Sequence, residues 1–312
     1  MVRQRVGFGT AMIALLVGLV WLDDALAQRV ADDLSPGLLI NIGLYLHEGL
    51  LLTLFVAVVA VFAGRELSRL LRGAGSEPAG GVAYLSAVAL IVIPWFVRNG
   101  LDPDVSADVM TDYAYSFTVL VIAVAATFLA VARRRRTIGA TGAIGATLLV
   151  IVYTGLLAGY VVRLRMWAGS GASWLVLYFL LVVKICDIGA YFTGMALGRR
   201  RLIEWLSPKK TWEGLAGGVA ASMVVATGVA WLVREQGPAR LRMLFPEPRS
   251  ALVFGAVMAL VGQAGDLVES LFKRAAGSKD SGAVVPAFGG VLDIVDSPLL
   301  AAPLAYWMLV KS

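Results

Sequence analysis

Between Gly265 and Asp296 the chain reads GDLVESLFKRAAGSKDSGAVVPAFGGVLDIVD, so four aspartates, one glutamate and three lysines or arginines lie between two apolar segments. Ionised groups are costly to hold at the edge of hydrocarbon, and this density of them points to chemistry. Asp266, Glu269, Ser270 and Lys273 stand at i, i+3, i+4 and i+7, which on a helix gives one face two carboxylates, a hydroxyl and an ammonium. Lys279 and Asp280 follow the turn-prone pair Gly277 and Ser278. Pro286, Gly289 and Gly290 allow a tight return into the membrane, after which Asp293 and Asp296, three apart, can face the same cavity. Two such ridges meeting would bring Asp266 and Asp293 together as a seat for one or two magnesium ions that also bind phosphate oxygens.

Two upstream stretches add to this constellation. In KICDIGAYFTG, Lys184 and Asp187 share a helix face, with Tyr191 one turn beyond. The pair reads either as mutual neutralisation between packed helices or as part of a substrate cavity. In SPKKTWEG, Pro208 restricts the backbone ahead of Lys209 and Lys210, with Ser207 and Thr211 on either side. Lysines between spans are also what topology demands, but Glu213 at the mouth of a span has no such purpose, and the group can grip a polyphosphate. The single histidine, His47, and single cysteine, Cys186, exclude a histidine-rich metal centre and an intramolecular disulfide framework. His47 and Glu48 read as interfacial packing, and the glycines at 139, 142, 155, 159, 217 and 218 as close helix contacts. Metal-assisted transfer between phosphates needs only charge and positioning, which these residues supply.

The elements that must position them are membrane helices. Of the 312 residues, 59% are hydrophobic and 15% charged, with mean hydropathy +0.81, which excludes an ordinary soluble domain. The sequence predicts an all-α polytopic membrane protein with nine spans, near 8–22, 46–64, 81–97, 110–132, 137–160, 172–197, 214–233, 251–272 and 291–310. The first is expected to end before the acidic stretch DDALAQRVADD, and to be retained rather than cleaved as a signal peptide. Helices before residue 170 and the site-bearing helices of 171–312 are expected to pack as one membrane domain. Lysines and arginines number 17 on the side of Arg3, Arg133 to Arg136, Lys209 and Lys273, against 9 on the other, which puts the N-terminus in the cytoplasm. Both polar loops then face the cytoplasm. The net charge of +6 suits anionic lipid and phosphate-bearing substrates, with no soluble basic domain to bind nucleic acid.

At these residues the chain resembles the phosphatidate cytidylyltransferases, or CDP-diglyceride synthases. Their C-terminal signature, S-x-x-K-R, four residues, K-D, then P-x-H-G-G-x-x-D-R-x-D, is matched in spacing by Ser270, Lys273, Arg274, Lys279, Asp280, Pro286, Gly289, Gly290, Asp293 and Asp296. DIGAYFTGMALG, SPKKTWEG and GDLVES extend the likeness over about residues 184 to 296. The resemblance implies a multi-pass, dimeric enzyme of the inner membrane that joins CTP to phosphatidic acid, giving CDP-diacylglycerol and pyrophosphate. It implies metal on Asp266 and Asp293, as Mg2+ in one or two ions with K+ as a candidate companion. Phosphates would rest on Lys209, Lys210, Lys273 and Arg274, while Asp187, Glu213, Glu269, Lys279, Asp280 and Asp296 complete or orient the cavity. Two positions depart from the signature: Phe288 replaces its histidine and Ile294 its arginine. Phenylalanine moves no proton and isoleucine clamps no phosphate, so a divergent or inactive paralogue is one alternative, and a transporter of an anionic substrate another.

Overall fold

The computed structural model describes residues 2–32, 49–100, 109–168, 171–278, 281–282 and 289–310. His47, Glu48, Lys279, Asp280, Pro286 and Phe288 lie outside the described residues. Among those described, nine helices are long and apolar enough to cross a membrane. They are α1 (Val2–Asp32), α2 (Leu50–Gly73), α3 (Gly80–Gly100), α4 (Val109–Ala132), α5 (Ala140–Trp167), α6 (Ala172–Leu197), α7 (Trp212–Gln236), α8 (Pro248–Ala275) and α9 (Leu292–Val310). The protein is an all-α multi-pass membrane protein. Each predicted span has its helix, generally longer than the hydropathy suggests because polar flanks continue the helical turn.

The largest correction is at α1. It runs on through Asp23 and Asp24 rather than ending before them, because both carboxylates are buried against partners. Asp23 accepts from Arg165 Nε and Ser173 Oγ, both at 2.8 Å. Asp24 pairs with Arg240 at 2.7 Å and accepts from Trp174 Nε1 at 3.0 Å. A further pair, buried on both sides, joins Arg163 of α5 to Asp112 of α4 at 2.7 Å, with Ser116 Oγ also near the guanidinium. Charges removed from water are tolerated when paired and hydrogen-bonded in this way.

A two-stranded antiparallel hairpin, β1 (Arg201–Ile203) and β2 (Ser207–Thr211), joins α6 to α7. Thr211 caps α7, its hydroxyl accepting from Gly214 N–H at 3.1 Å. Helix α7 packs closely on α6: a Cβ at Gly218 would lie 2.7 Å from Cys186 O. Gly139, by contrast, makes no such contact; it precedes α5 with φ of 76°, a left-handed conformation that glycine adopts without penalty. One apolar core gathers Tyr178, Phe179, Phe254, Met258 and Tyr306. A second gathers Leu67, Leu90, Ile151 and Leu292. Helix α9 contributes to both, and carries Asp293 in its first turn and Asp296 in its second.

Candidate active site

The site begins with a missing side chain. A Cβ at Gly265 would stand 2.6 Å from Asp296 O, so α8 and α9 touch backbone to backbone there. That contact sets Asp266 and Glu269 of α8 opposite Asp296 of α9, with one carboxylate oxygen of each within 4.8 Å of the others. Glu269 and Asp296 are buried and Asp266 is partly so. Glu269 Oε1 is buried with no hydrogen-bond partner.

Cations thread between the acids. Lys210 of β2 pairs with Asp266. Lys184 lies 3.5 Å from Asp187 and 3.8 Å from Asp296, and Gln263 Nε2 donates to Asp187 at 2.9 Å. Lys273 bridges Glu269 at 2.5 Å and Asp293 at 2.8 Å. The other oxygen of Asp293 accepts from Ser281 Oγ and from Gly290 N–H, both at 2.7 Å. The run from Asp187 to Asp293 holds five carboxylates and three ammonium groups, a surplus of negative charge that favours an added cation. With three clustered carboxylates and an unpartnered buried oxygen, Asp266, Glu269 and Asp296 can hold a divalent cation; all-oxygen donors suit a hard one.

Beside this cluster opens a cleft of about 290 Å³, bordered by Tyr191 and Met195 of α6, Arg201, Lys209 and Lys210 of the hairpin, and Gln263 of α8. Its basic side is the hairpin and its apolar side the exposed face of α6. Glu213, in the first turn of α7, accepts from the N–H groups of Arg199 and Arg200 at 3.1 and 3.2 Å, so it closes the chain reversal that presents the hairpin. Arg274 Nε reaches Leu206 O at 3.4 Å, linking the end of α8 to the hairpin turn. Ser270 is half-buried beside Glu269 on α8, and Ser207 opens β2 opposite Ile203.

The structure thus brings Asp187, Lys210, Asp266, Glu269, Lys273, Asp293 and Asp296 into one contact network, and sets Lys209 on the adjoining cleft. Asp296 stands in the three-carboxylate group with Asp266, while Asp293 is engaged by Lys273, Ser281 and Gly290.

Comparison with known proteins assigns the family. Residues 27–311 match the profile of the cytidylyltransferase family. The chain belongs to that family. It is 34% identical over 263 residues to the phosphatidate cytidylyltransferase of Pseudomonas aeruginosa, covering 84% of this chain and 89% of that protein. It is 31% identical over 310 residues to the phosphatidate cytidylyltransferase of Synechocystis, covering 91% and 96%. The enzyme of the same name from Bacillus subtilis is 36% identical over 167 residues, 53% of this chain and 58% of its own.

Four residues at this site were not singled out by the sequence. Gln263 lies one turn before Asp266 and could have been found by extending the polar ridge backwards. Arg201 was visible only as a topological charge. Ser281 and Glu66 gave no local signal: Glu66 Oε2 accepts from Leu292 N–H at 2.8 Å across a separation of 226 residues.

Proposed function

We propose that this family member transfers the cytidylyl group of CTP to phosphatidic acid, giving CDP-diacylglycerol and pyrophosphate. The observation that carries the reading is the meeting of a three-carboxylate group with a lysine-lined cleft at one end of the helices. An oxygen of the lipid phosphate forms a bond to the α-phosphorus, and the bond from that phosphorus to the β-phosphate oxygen breaks. Both reactants are anions, so the first task is to offset their repulsion. Lys209, Lys210 and Arg201 hold phosphate groups on the cleft side, and Lys273 holds charge between Glu269 and Asp293. The exposed apolar face of α6, with Ile188, Phe192 and Met195, gives the acyl chains lateral access from the bilayer.

Asp266, Glu269 and Asp296 seat Mg2+, with Asp293 as candidate ligand of a second ion, Mg2+ or K+. When bound, the metal stabilises charge developing on the transferring phosphate. The positive-inside count supports a cytoplasmic N-terminus and, with it, a site on the cytoplasmic face of the inner membrane. The homodimer belongs to the same proposal, on the resemblance alone, and cross-linking in liposomes tests it.

Purified protein given phosphatidic acid, CTP and Mg2+ is expected to release pyrophosphate and CDP-diacylglycerol in equal amounts. Folded protein that releases neither would sink this reading and leave the non-catalytic relative suggested by Phe288 and Ile294.

A further inference from the structure

Glu66 lies near the end of α2, in the half of the chain that contributes none of the signature residues, and is 1% exposed. Among the described residues its partners are an amide and a hydroxyl rather than a cation. Oε2 accepts from Leu292 N–H at 2.8 Å and lies 3.4 Å from Ser281 Oγ. Leu292 opens α9, and the first-turn amides of a helix have no partner within it, so a carboxylate there satisfies a donor and meets the positive end of the helix dipole. Ser281 has one hydroxyl proton, and the nearer acceptor, Asp293 at 2.7 Å, takes it; Glu66 stands behind that hydroxyl. The backbone on both sides is shaped to the carboxylate: a Cβ at Gly282 would stand 2.5 Å from Oε1, and one at Gly290 would collide with Oε2. Gly290 is also the residue whose N–H holds Asp293.

We infer that Glu66 is a positioning residue for the transfer site, fixing the start of α9 together with Ser281 and Gly290, and through them the pairing of Asp293 with Lys273. The inference rests on the reading of Asp293 and Lys273 as working parts of that site. Glu66 acts from α2 without touching substrate, so its loss should lower turnover and leave substrate binding alone. A carboxylate shifted by a fraction of its own length is enough for this, since misplacement of about 1 Å can cost roughly 100-fold in rate.

The test uses full-length protein in liposomes, with rates expressed per folded molecule. Glu66→Ala is expected to lower kcat roughly 10- to 100-fold, with KM for CTP and for lipid within about threefold of the parent. Glu66→Gln, which keeps an oxygen for Leu292 N–H, should recover most of that loss. Ser281→Ala should lower kcat as well, and Glu66→Ala/Ser281→Ala should fall no further than Glu66→Ala, because both act through Asp293. Unchanged kcat in Glu66→Ala, a loss carried wholly by KM, or independent losses in the double variant would each overturn the inference. If Glu66→Ala does not fold, Ser281→Ala decides, and normal kcat there is equally fatal. Full activity in Asp293→Asn would instead overturn the reading of the site; an inactive Asp293→Asn beside a fully active Glu66→Ala would remove only the positioning role.

Discussion

Asp266 is where the hairpin meets the helical site: its carboxylate pairs with Lys210 and also belongs to the group with Glu269 and Asp296. Asp266→Asn removes a charge from both relations, and turnover measured by labelled CTP incorporation into lipid is expected to drop by roughly 100-fold or more. A chelator should abolish turnover and Mg2+ restore it. Asp296→Asn is expected to raise the Mg2+ concentration for half-maximal rate roughly 10- to 100-fold, by analogy with the loss of groups that support a metal site. The same titration on Asp293→Asn tests that residue as a second ligand: an unchanged Mg2+ requirement with lowered kcat would assign it to holding Lys273 instead. The polar ridge of Asp266, Glu269 and Lys273 was legible because helical spacing is a local property. Which of Asp293 and Asp296 stands beside Asp266 was not, since both lie on one face and only the position of α9 along α8 separates them.

Among the elements, the approach of α8 to α9 decides the site. Gly265 permits it, and Gly265→Ala would drive a methyl group against the backbone of Asp296 and Ser297. The variant is expected to lose about 1–3 kcal/mol of stability and part of its activity, read as a lower thermal midpoint in detergent together with a higher Mg2+ concentration for half-maximal rate. A midpoint and activity equal to the parent's would mean that the two helices part easily. The hairpin was not legible as strands. Its pairing is short, and Pro208 in β2 is a residue that sheets admit mainly at edges, so the local signal there is for a basic loop. Glu213 stands out in the sequence because an acid at a helix mouth is unusual; in the structure it accepts the amides of Arg199 and Arg200 and so holds the turn that presents the hairpin to the cleft.

At the scale of the whole molecule, acid–arginine contacts among the described residues tie α1, α4, α5 and the short segment after α7: Asp23 with Arg165 and Asp112 with Arg163, both buried, and Asp24 with the partly exposed Arg240. Arg163→Leu leaves Asp112 buried without its partner and is expected to cost about 3–5 kcal/mol, seen as faster thermal inactivation with the Mg2+ requirement unchanged. Asp112→Leu/Arg163→Leu should regain much of that loss, because no unpaired charge remains; a double variant as unstable as the single one would show that packing, not charge, was lost. The same contacts explain why α1 runs through acids that hydropathy alone would exclude from it. By itself the sequence determined the number of spans, the charge asymmetry and the polar ridges, all of which follow from composition and from spacing along one helix. Only the tertiary structure decided that Asp296 joins Asp266 and Glu269, that Lys210 arrives from a hairpin, and that Glu66 reaches Leu292 from α2. Those pairings join residues far apart in the chain, and no local periodicity encodes which helix faces will meet.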